Sequence, residues 1–447
     1  MSAAATSTLL TEPSIATRWD RALEATAPLR AGVVRRVLGT SFEVAGLDAA
    51  ISDLIVVETA EGPLRGHVVA LRDSWVVASA YRDLGGIRAG QLAFAPGGPP
   101  LIPVGSSLLG RVVDGLGQPI DDLGPLPSSD RVVLDGRPPH PLRRRRITEP
   151  FPVGIRSIDA AVTCGRGQRI GIFAGSGVGK STLLSMITRG VSADVIVIGL
   201  VGERGREVRE FIEENLRPEE RARSVVVVAT SDEPALMRHS AAQAATRIAE
   251  DFRDKGLDVL LVIDSITRFA MAQREIGLAA GEFPASRGYP PSVLSELPKL
   301  LERAGTAESG SITAIYTVLV EGDDMNDPVA DTVRSILDGH IVLSRTLAHR
   351  GHHPSVDVLA SVSRVVNAVT TAEEQAVAQQ LRENLAAYEE SRDLIEVGAY
   401  VAGSNPRTDA AVALNPALTS FLRQGADEIV AFDDTWTALH AALGGAA

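Results

Sequence analysis

The nine residues Ala174-Gly175-Ser176-Gly177-Val178-Gly179-Lys180-Ser181-Thr182 hold the densest chemistry in the chain. Glycines at 175, 177 and 179 let successive backbone N–H groups turn to one side, with the small Ser176 and Val178 between them. Lys180 adds a compact ammonium, and the hydroxyls of Ser181 and Thr182 follow. Amides, a helix N-terminus and an ammonium together make a cradle for the β- and γ-phosphates of a nucleotide, and a serine after the lysine is placed to hold Mg²⁺. The setting fits: an apolar run, 169–173, precedes the loop, and Leu183, Leu184 and Ile187 open a helical pattern after it. Lys180, Lys255 and Lys299 are the three lysines in 447 residues, so lysine is kept here where arginine dominates elsewhere. A point charge that a planar fork cannot replace explains that choice.

Two carboxylates end further apolar runs. Residues 259–263 lead into Asp264, at the strand end where open α/β sheets bind ligands, so Asp264 is expected to organise Mg²⁺ through its water shell. Hydrolysis also needs a group to orient or deprotonate water, and Ser265 cannot do that after Asp264. The run 195–201 ends in Gly202-Glu203-Arg204. Glu203 is the candidate base, Arg204 a candidate γ-phosphate contact, and Glu207 a candidate support for the metal's waters.

The elements that must position these residues follow from the apolar pattern. Runs at 169–173, 195–201, 225–229, 259–263, 312–319 and 341–343 alternate with helical segments, as strands buried on both faces of a parallel sheet require. Upstream, short β-rich runs at 32–38, 54–58, 66–71 and 75–79 are punctuated by Gly, Asp and Pro and read as a small closed β domain. Downstream of Val366 the text turns to Ala, Glu, Gln and Leu with helical periodicity, broken at Gly403-Ser404-Asn405-Pro406 and at Asn415-Pro416. The fold expected is α/β: a RecA-like phosphate-loop core with a parallel sheet, between an N-terminal β-barrel and a C-terminal helical domain. The division reads as an arm at 1–28, a barrel at 29–97, connector and nucleotide-binding core at 98–365, and helices at 366–447. In the arm, Ile15, Trp19, Ala22 and Leu23 recur at helical spacing, which suits packing on its own domain or docking to a partner.

Composition excludes several classes. No apolar run approaches the roughly 18 residues that span a bilayer, so a cytoplasmic protein is expected. The single cysteine, Cys164, leaves no internal disulfide and reads as a buried core thiol. A formal charge of −12 disfavours a nucleic-acid partner. The dense basic run, the four arginines at 143–146, reads as a solvated connector, with subunit or phosphate contacts as the alternative.

Beyond the phosphate loop, the chain carries Thr163-Cys164-Gly165-Arg166-Gly167-Gln168-Arg169-Ile170-Gly171, Gly202-Glu203-Arg204-Gly205-Arg206-Glu207, Asp264-Ser265-Ile266-Thr267-Arg268-Phe269-Ala270, Ser286-Arg287-Gly288-Tyr289-Pro290-Pro291-Ser292 and Glu321-Gly322-Asp323-Asp324-Met325-Asn326. From the barrel-like segment to about Gln424, it resembles the catalytic subunits of rotary ATP synthases and their homomeric relatives, the protein-export ATPases. Flagellar export fits first, virulence-type secretion second. The resemblance implies ATP and Mg²⁺, a homo-oligomeric ring of six with nucleotide at its interfaces, and Arg364 of Ser361-Val362-Ser363-Arg364 as a finger supplied in trans. Such fingers are worth roughly a thousandfold or more in rate, about 4 kcal/mol of barrier. Glu203 and Arg364 stand in one chain, so a homomeric ring would be competent at every interface. Where relatives place Tyr-Pro against adenine, this chain has His353-Pro354, and Tyr400 would line the other side. The resemblance further implies a regulatory stator at the N-terminal arm, a central stalk at the loop 284–289, an export gate with substrates and chaperones as partners, and peripheral association with the inner face of the cell membrane.

Two other classes compete with the export motor: an RNA-dependent ring translocase, disfavoured by the acidic balance and by a barrel without interleaved aromatic and basic residues, and a nucleotide-binding scaffold, opposed by Lys180, Glu203 and Arg364.

Overall fold

A computed structural model describes residues 30–444 except 128, 321 and 323. The amphipathic stretch at 1–28 therefore lies outside the described residues, as do Glu321 and Asp323 of the acidic motif.

Six strands close the N-terminal barrel: β1 (Arg30–Leu38), β2 (Ser41–Ala45), β3 (Leu54–Thr59), β4 (Gly62–Leu71), β5 (Trp75–Ala80) and β6 (Leu92–Ala95), in the order β1-β2-β5-β4-β3-β6. Alternate residues such as Val34, Phe42, Val44, Ile55, Val57, Leu64 and Val68 point inward and form its own core. A two-stranded ribbon, β7 (Leu101–Val104) with β9 (Asp130–Val133), flanks the connector, and between them β8 (Val112–Val113) joins the edge of the main sheet.

That sheet is built from β10 (Arg169–Ala174), β11 (Val195–Glu203), β12 (Ser224–Thr230), β13 (Asp258–Asp264), β14 (Gly305–Thr306), β15 (Ser311–Leu319), β16 (Gly339–Leu343) and β17 (Val356–Ser363). Its order is β17-β16-β10-β15-β13-β11-β12-β8, with β14 paired antiparallel to β15. From β16 to β8 every pair is parallel, so the carboxyl ends of β10, β15, β13 and β11 share one edge. β17 runs antiparallel at the border. Both faces are covered, which is why the strands are apolar throughout: one face packs on α3 (Ala235–Asp254), α4 (Ile266–Ala279) and α5 (Pro291–Leu301), the other on α1 (Lys180–Gly190). Between α1 and α3 in sequence lies the short α2 (Gly205–Glu210), and α6 (Pro328–Ile336) follows α5.

Three C-terminal helices, α7 (Ala372–Glu396), α8 (Pro406–Leu422) and α9 (Phe432–Gly444), pack through Val377, Leu381, Leu418, Trp436 and Leu439 on the α1 side of the sheet. A capping box of Thr371 and Glu374 starts α7. The break expected at Asn415-Pro416 is absent: α8 runs through Pro416. Pro416 is exposed, while Leu414, Leu418 and Phe421 anchor the opposite face, so the carbonyl it leaves unpaired meets solvent and burial keeps the helix whole.

Cys164 is buried. The arginine run is a tether rather than a freely solvated link: Arg144 donates to the Ala304 carbonyl at 2.8 Å and to that of Glu302, and Arg145 to the Gly310 carbonyl at 3.0 Å.

Candidate functional site

The phosphate loop leaves the buried end of β10 and enters α1 at Lys180. Gly177 and Gly179 sit at φ 75° and 94°, a left-handed region that a side chain would strain, and nothing lies within 4 Å of where their Cβ atoms would be. They are glycines for backbone shape. No side chain caps the N-terminus of α1, so its first amides are left for a ligand. Val178 is held from below: the Ser355 hydroxyl donates to its carbonyl at 2.6 Å. Ser176, Ser181 and Thr182 face solvent on the open side.

Lys180 donates to Glu203 Oε1 at 3.2 Å and to Asp264 Oδ1. The three side chains are 13%, 15% and 5% exposed. Three parallel strands thus deliver an ammonium and two carboxylates to one point, although 84 residues separate Lys180 from Asp264. Burial alone would depress the Lys180 ammonium, but the charges of Asp264 and Glu203 outweigh it and hold its pKa above the ordinary lysine value. Burial raises the Glu203 carboxyl; Lys180 opposes that shift and a hydrogen bond shared with Glu207 adds to it.

Gly202 aims Glu203. At φ 71° it makes a bulge between Val201 and Glu203 in the pairing with β12, and a Cβ there would stand 2.9 Å from the Arg268 side chain. Arg204 lies outside this cluster, 81% exposed and paired at 3.4 Å with Glu207 on the first turn of α2. Arg268, a group that sequence reasoning left without a role, packs its carbons on Gly202 while its buried Nε has no hydrogen-bond partner. The signal was present in its motif, but only the bulge brings it against Gly202, the residue before Glu203.

Arg364 does not approach its own phosphate loop. It follows antiparallel β17, and its amide donates to the Asp338 carbonyl at 2.9 Å, while the Asp338 amide donates to the carbonyl of Arg169 at the start of β10. The loop lies at the other end of that strand, about 17 Å away at roughly 3.3 Å per residue. Arg364 is exposed, and its guanidinium donates to the Arg334 carbonyl at 3.3 Å. His353 is exposed two residues from the Ser355 clamp, and its carbonyl accepts from the Gln424 amide at 2.9 Å. Tyr400 is tied into its own loop through Asp409 at 2.8 Å and the Asn405 carbonyl at 3.1 Å. No hydrogen bond or ring contact joins it to His353 among the described residues.

The donor set suits a hard divalent cation. Ser181 and the carboxylates offer oxygen only, and no group of three His, Cys, Asp or Glu among the described residues would hold a metal unaided. Mg²⁺ is bound in that manner, by one or two protein oxygens together with substrate phosphates and water.

Residues 154–363 match the nucleotide-binding domain of the ATP synthase alpha/beta family, and residues 370–441 match the T3SS EscN ATPase C-terminal domain. The flagellum-specific ATP synthase of Pseudomonas aeruginosa is 50% identical over 424 residues, 94% of each chain. The chain belongs to the ATP synthase alpha/beta family, in its type III secretion branch. Another member, the SPI-2 type 3 secretion system ATPase of Salmonella typhimurium, is 53% identical over 363 residues, 81% of this chain and 84% of that one. The assembled ATPase EscN of enteropathogenic E. coli, solved in complex with its central stalk EscO, superposes with a TM-score of 0.85 at 44% identity, over 92% of this chain and 100% of that one. Membership of this family makes the chain an ATP-hydrolysing enzyme.

Proposed function

We propose that this chain hydrolyses Mg²⁺-ATP to drive protein export through the flagellar type III apparatus. The observation that carries the reading is the convergence of Lys180, Glu203 and Asp264 beside an uncapped helix N-terminus, in a chain matched nearly end to end by a flagellum-specific relative.

The loop amides and Lys180 take the β- and γ-phosphates, so the ammonium exchanges carboxylate partners for phosphate oxygens. Glu203, released from Lys180, accepts a proton from water as that water attacks the γ-phosphorus; the bond from phosphorus to the bridging oxygen breaks, leaving ADP and phosphate. Ser181 and Asp264, with Glu207 in support, would hold Mg²⁺, which would supply positive charge to offset that of the phosphates. Arg204 and Arg268 offer guanidinium groups to the γ-phosphate at the same edge. His353 and Tyr400 would flank the base.

The remoteness of Arg364 from its own loop supports a finger given to the neighbouring subunit, and hence a homomeric ring of six. The EscN–EscO assembly supports a central stalk as partner, for which the loop 284–289 is the proposed contact; Phe283, just before it, is 86% exposed. A regulatory stator at residues 1–28, outside the described structure, an export gate, and substrates with chaperones complete the expected partners; no nucleic acid is among them. The reading places action on the cytoplasmic side, at the membrane's inner face; among the described residues no helix is long and apolar enough to cross a membrane.

Virulence-type secretion is the second reading, favoured by the 53% identity to the SPI-2 ATPase, but that match spans 81% of the chain against 94% for the flagellar relative. Deleting the gene separates the two. Loss of secreted hook and filament proteins, restored by the wild type and not by Lys180→Ala, is the expected result. Normal flagella with lost effector secretion would transfer the function to the second reading.

A further inference from the structure

One side chain at the site belongs to none of the roles above. β15 lies between β10, which carries the phosphate loop, and β13, which carries Asp264. Its residue Thr317 pairs in register with Ile172 and is wholly buried. The hydroxyl donates to Asp264 Oδ1 at 2.6 Å. That oxygen also accepts from Lys180, whereas no described residue donates to Asp264 Oδ2. All the side-chain hydrogen bonding to this carboxylate therefore converges on one oxygen.

We propose that Thr317 is a positioning residue for Asp264. With nucleotide bound, Lys180 turns to the phosphates and the Thr317 hydroxyl is the side-chain donor that remains. Gripping Oδ1, it fixes the rotation of the carboxylate and leaves Oδ2 directed at the water shell of Mg²⁺. A buried hydroxyl is the economical means: it brings no charge to compete with the metal, and it is rigid because β-branching limits its rotamers. The inference rests on Asp264 as the organiser of Mg²⁺.

Its test is the affinity for ADP, which is not turned over, measured with a fluorescent analogue in excess Mg²⁺ and in EDTA. Thr317→Val keeps the shape and removes the donor. Since a hydrogen bond to a charged group is worth about tenfold or more, the gain in ADP affinity that Mg²⁺ confers should shrink roughly tenfold, while affinity in EDTA is unchanged. Thr317→Ser, which restores a hydroxyl, should recover most of that gain. A Val variant with the full Mg²⁺ gain, or a Ser variant as impaired as Val, would overturn the inference. Thr317→Ala supplies the same reading should Val not fold. Asp264→Asn is the control: its loss of the Mg²⁺ gain beside a neutral Thr317→Val would reject Thr317 alone, and an unchanged gain in Asp264→Asn would reject the Asp264 reading itself.

Discussion

At the scale of single residues, the site is a salt-bridged cluster that a bound nucleotide would open. Lys180 neutralises two carboxylates that would otherwise repel each other at partly buried positions, and on the proposed mechanism ATP replaces them with phosphate. Glu203 titrates accordingly. Burial sets its pKa above the ordinary glutamate value of 4.5, and in its proposed role as base Glu203 is competent only when ionised, so activity should fall as pH drops through that raised value. The pH dependence of kcat/KM, which reports the free enzyme, should show an acid limb above pH 4.5. Replacing Glu207 with Gln removes a neighbouring negative charge that helps raise Glu203, and should shift the limb to lower pH. A limb unmoved by Glu207→Gln, or one at or below the ordinary value, would detach it from Glu203.

At the scale of elements, the C-terminal helices are fastened to the segment that enters the core. The segment entering the core is wedged: a Cβ on Gly190, the last residue of α1, would stand 2.1 Å from the Val153 carbonyl. Asp159 holds that segment through hydrogen bonds from the amides of Val153, Gly154 and Ile155 at 2.9, 2.8 and 3.2 Å. Beside it the Arg156 amide donates to Gln424 Oε1 at 2.9 Å, and Gln424 Nε2 donates to the Gly154 carbonyl at 2.7 Å. Asp159→Ala leaves three buried donors unpaired and should cost on the order of 3 kcal/mol in a denaturant melt, with earlier proteolysis of α7 to α9. A loss below about 0.5 kcal/mol, the usual size of a surface change, would contradict this role.

The elements differ in how openly the sequence announces them. The parallel core strands were legible because burial on both faces writes an unbroken apolar run, and Asp264 and Glu203 stood out as charges ending such runs. β2 and β6 were not: Ser41–Ala45 mixes Ser and Glu into the strand and Leu92–Ala95 has four residues, so only closure of the barrel gives them partners. β17 escaped because an antiparallel border strand is buried on alternate residues. Ser355 and Thr317 carry no local signal, since a hydroxyl near a strand end is ordinary and its partner is set by the fold.

At the scale of the whole molecule, a single subunit holds Glu203 at one edge of its sheet and the exposed Arg364 at the other, separated by the length of β10. One chain cannot bring them together, whereas on the proposed reading a head-to-tail ring would join the base of each subunit to the arginine of the next. Mixing two inactive proteins tests this most directly. Glu203→Gln should bind ATP without turnover, and Arg364→Ala should assemble with turnover reduced roughly a thousandfold. In random mixed rings, on the order of a quarter of interfaces pair an intact Glu203 with an intact Arg364 from the neighbour, and ATPase activity should recover to about that fraction of wild type. A mixture as inactive as its components, although subunit exchange is demonstrated, would contradict the account, as would full activity in either variant alone.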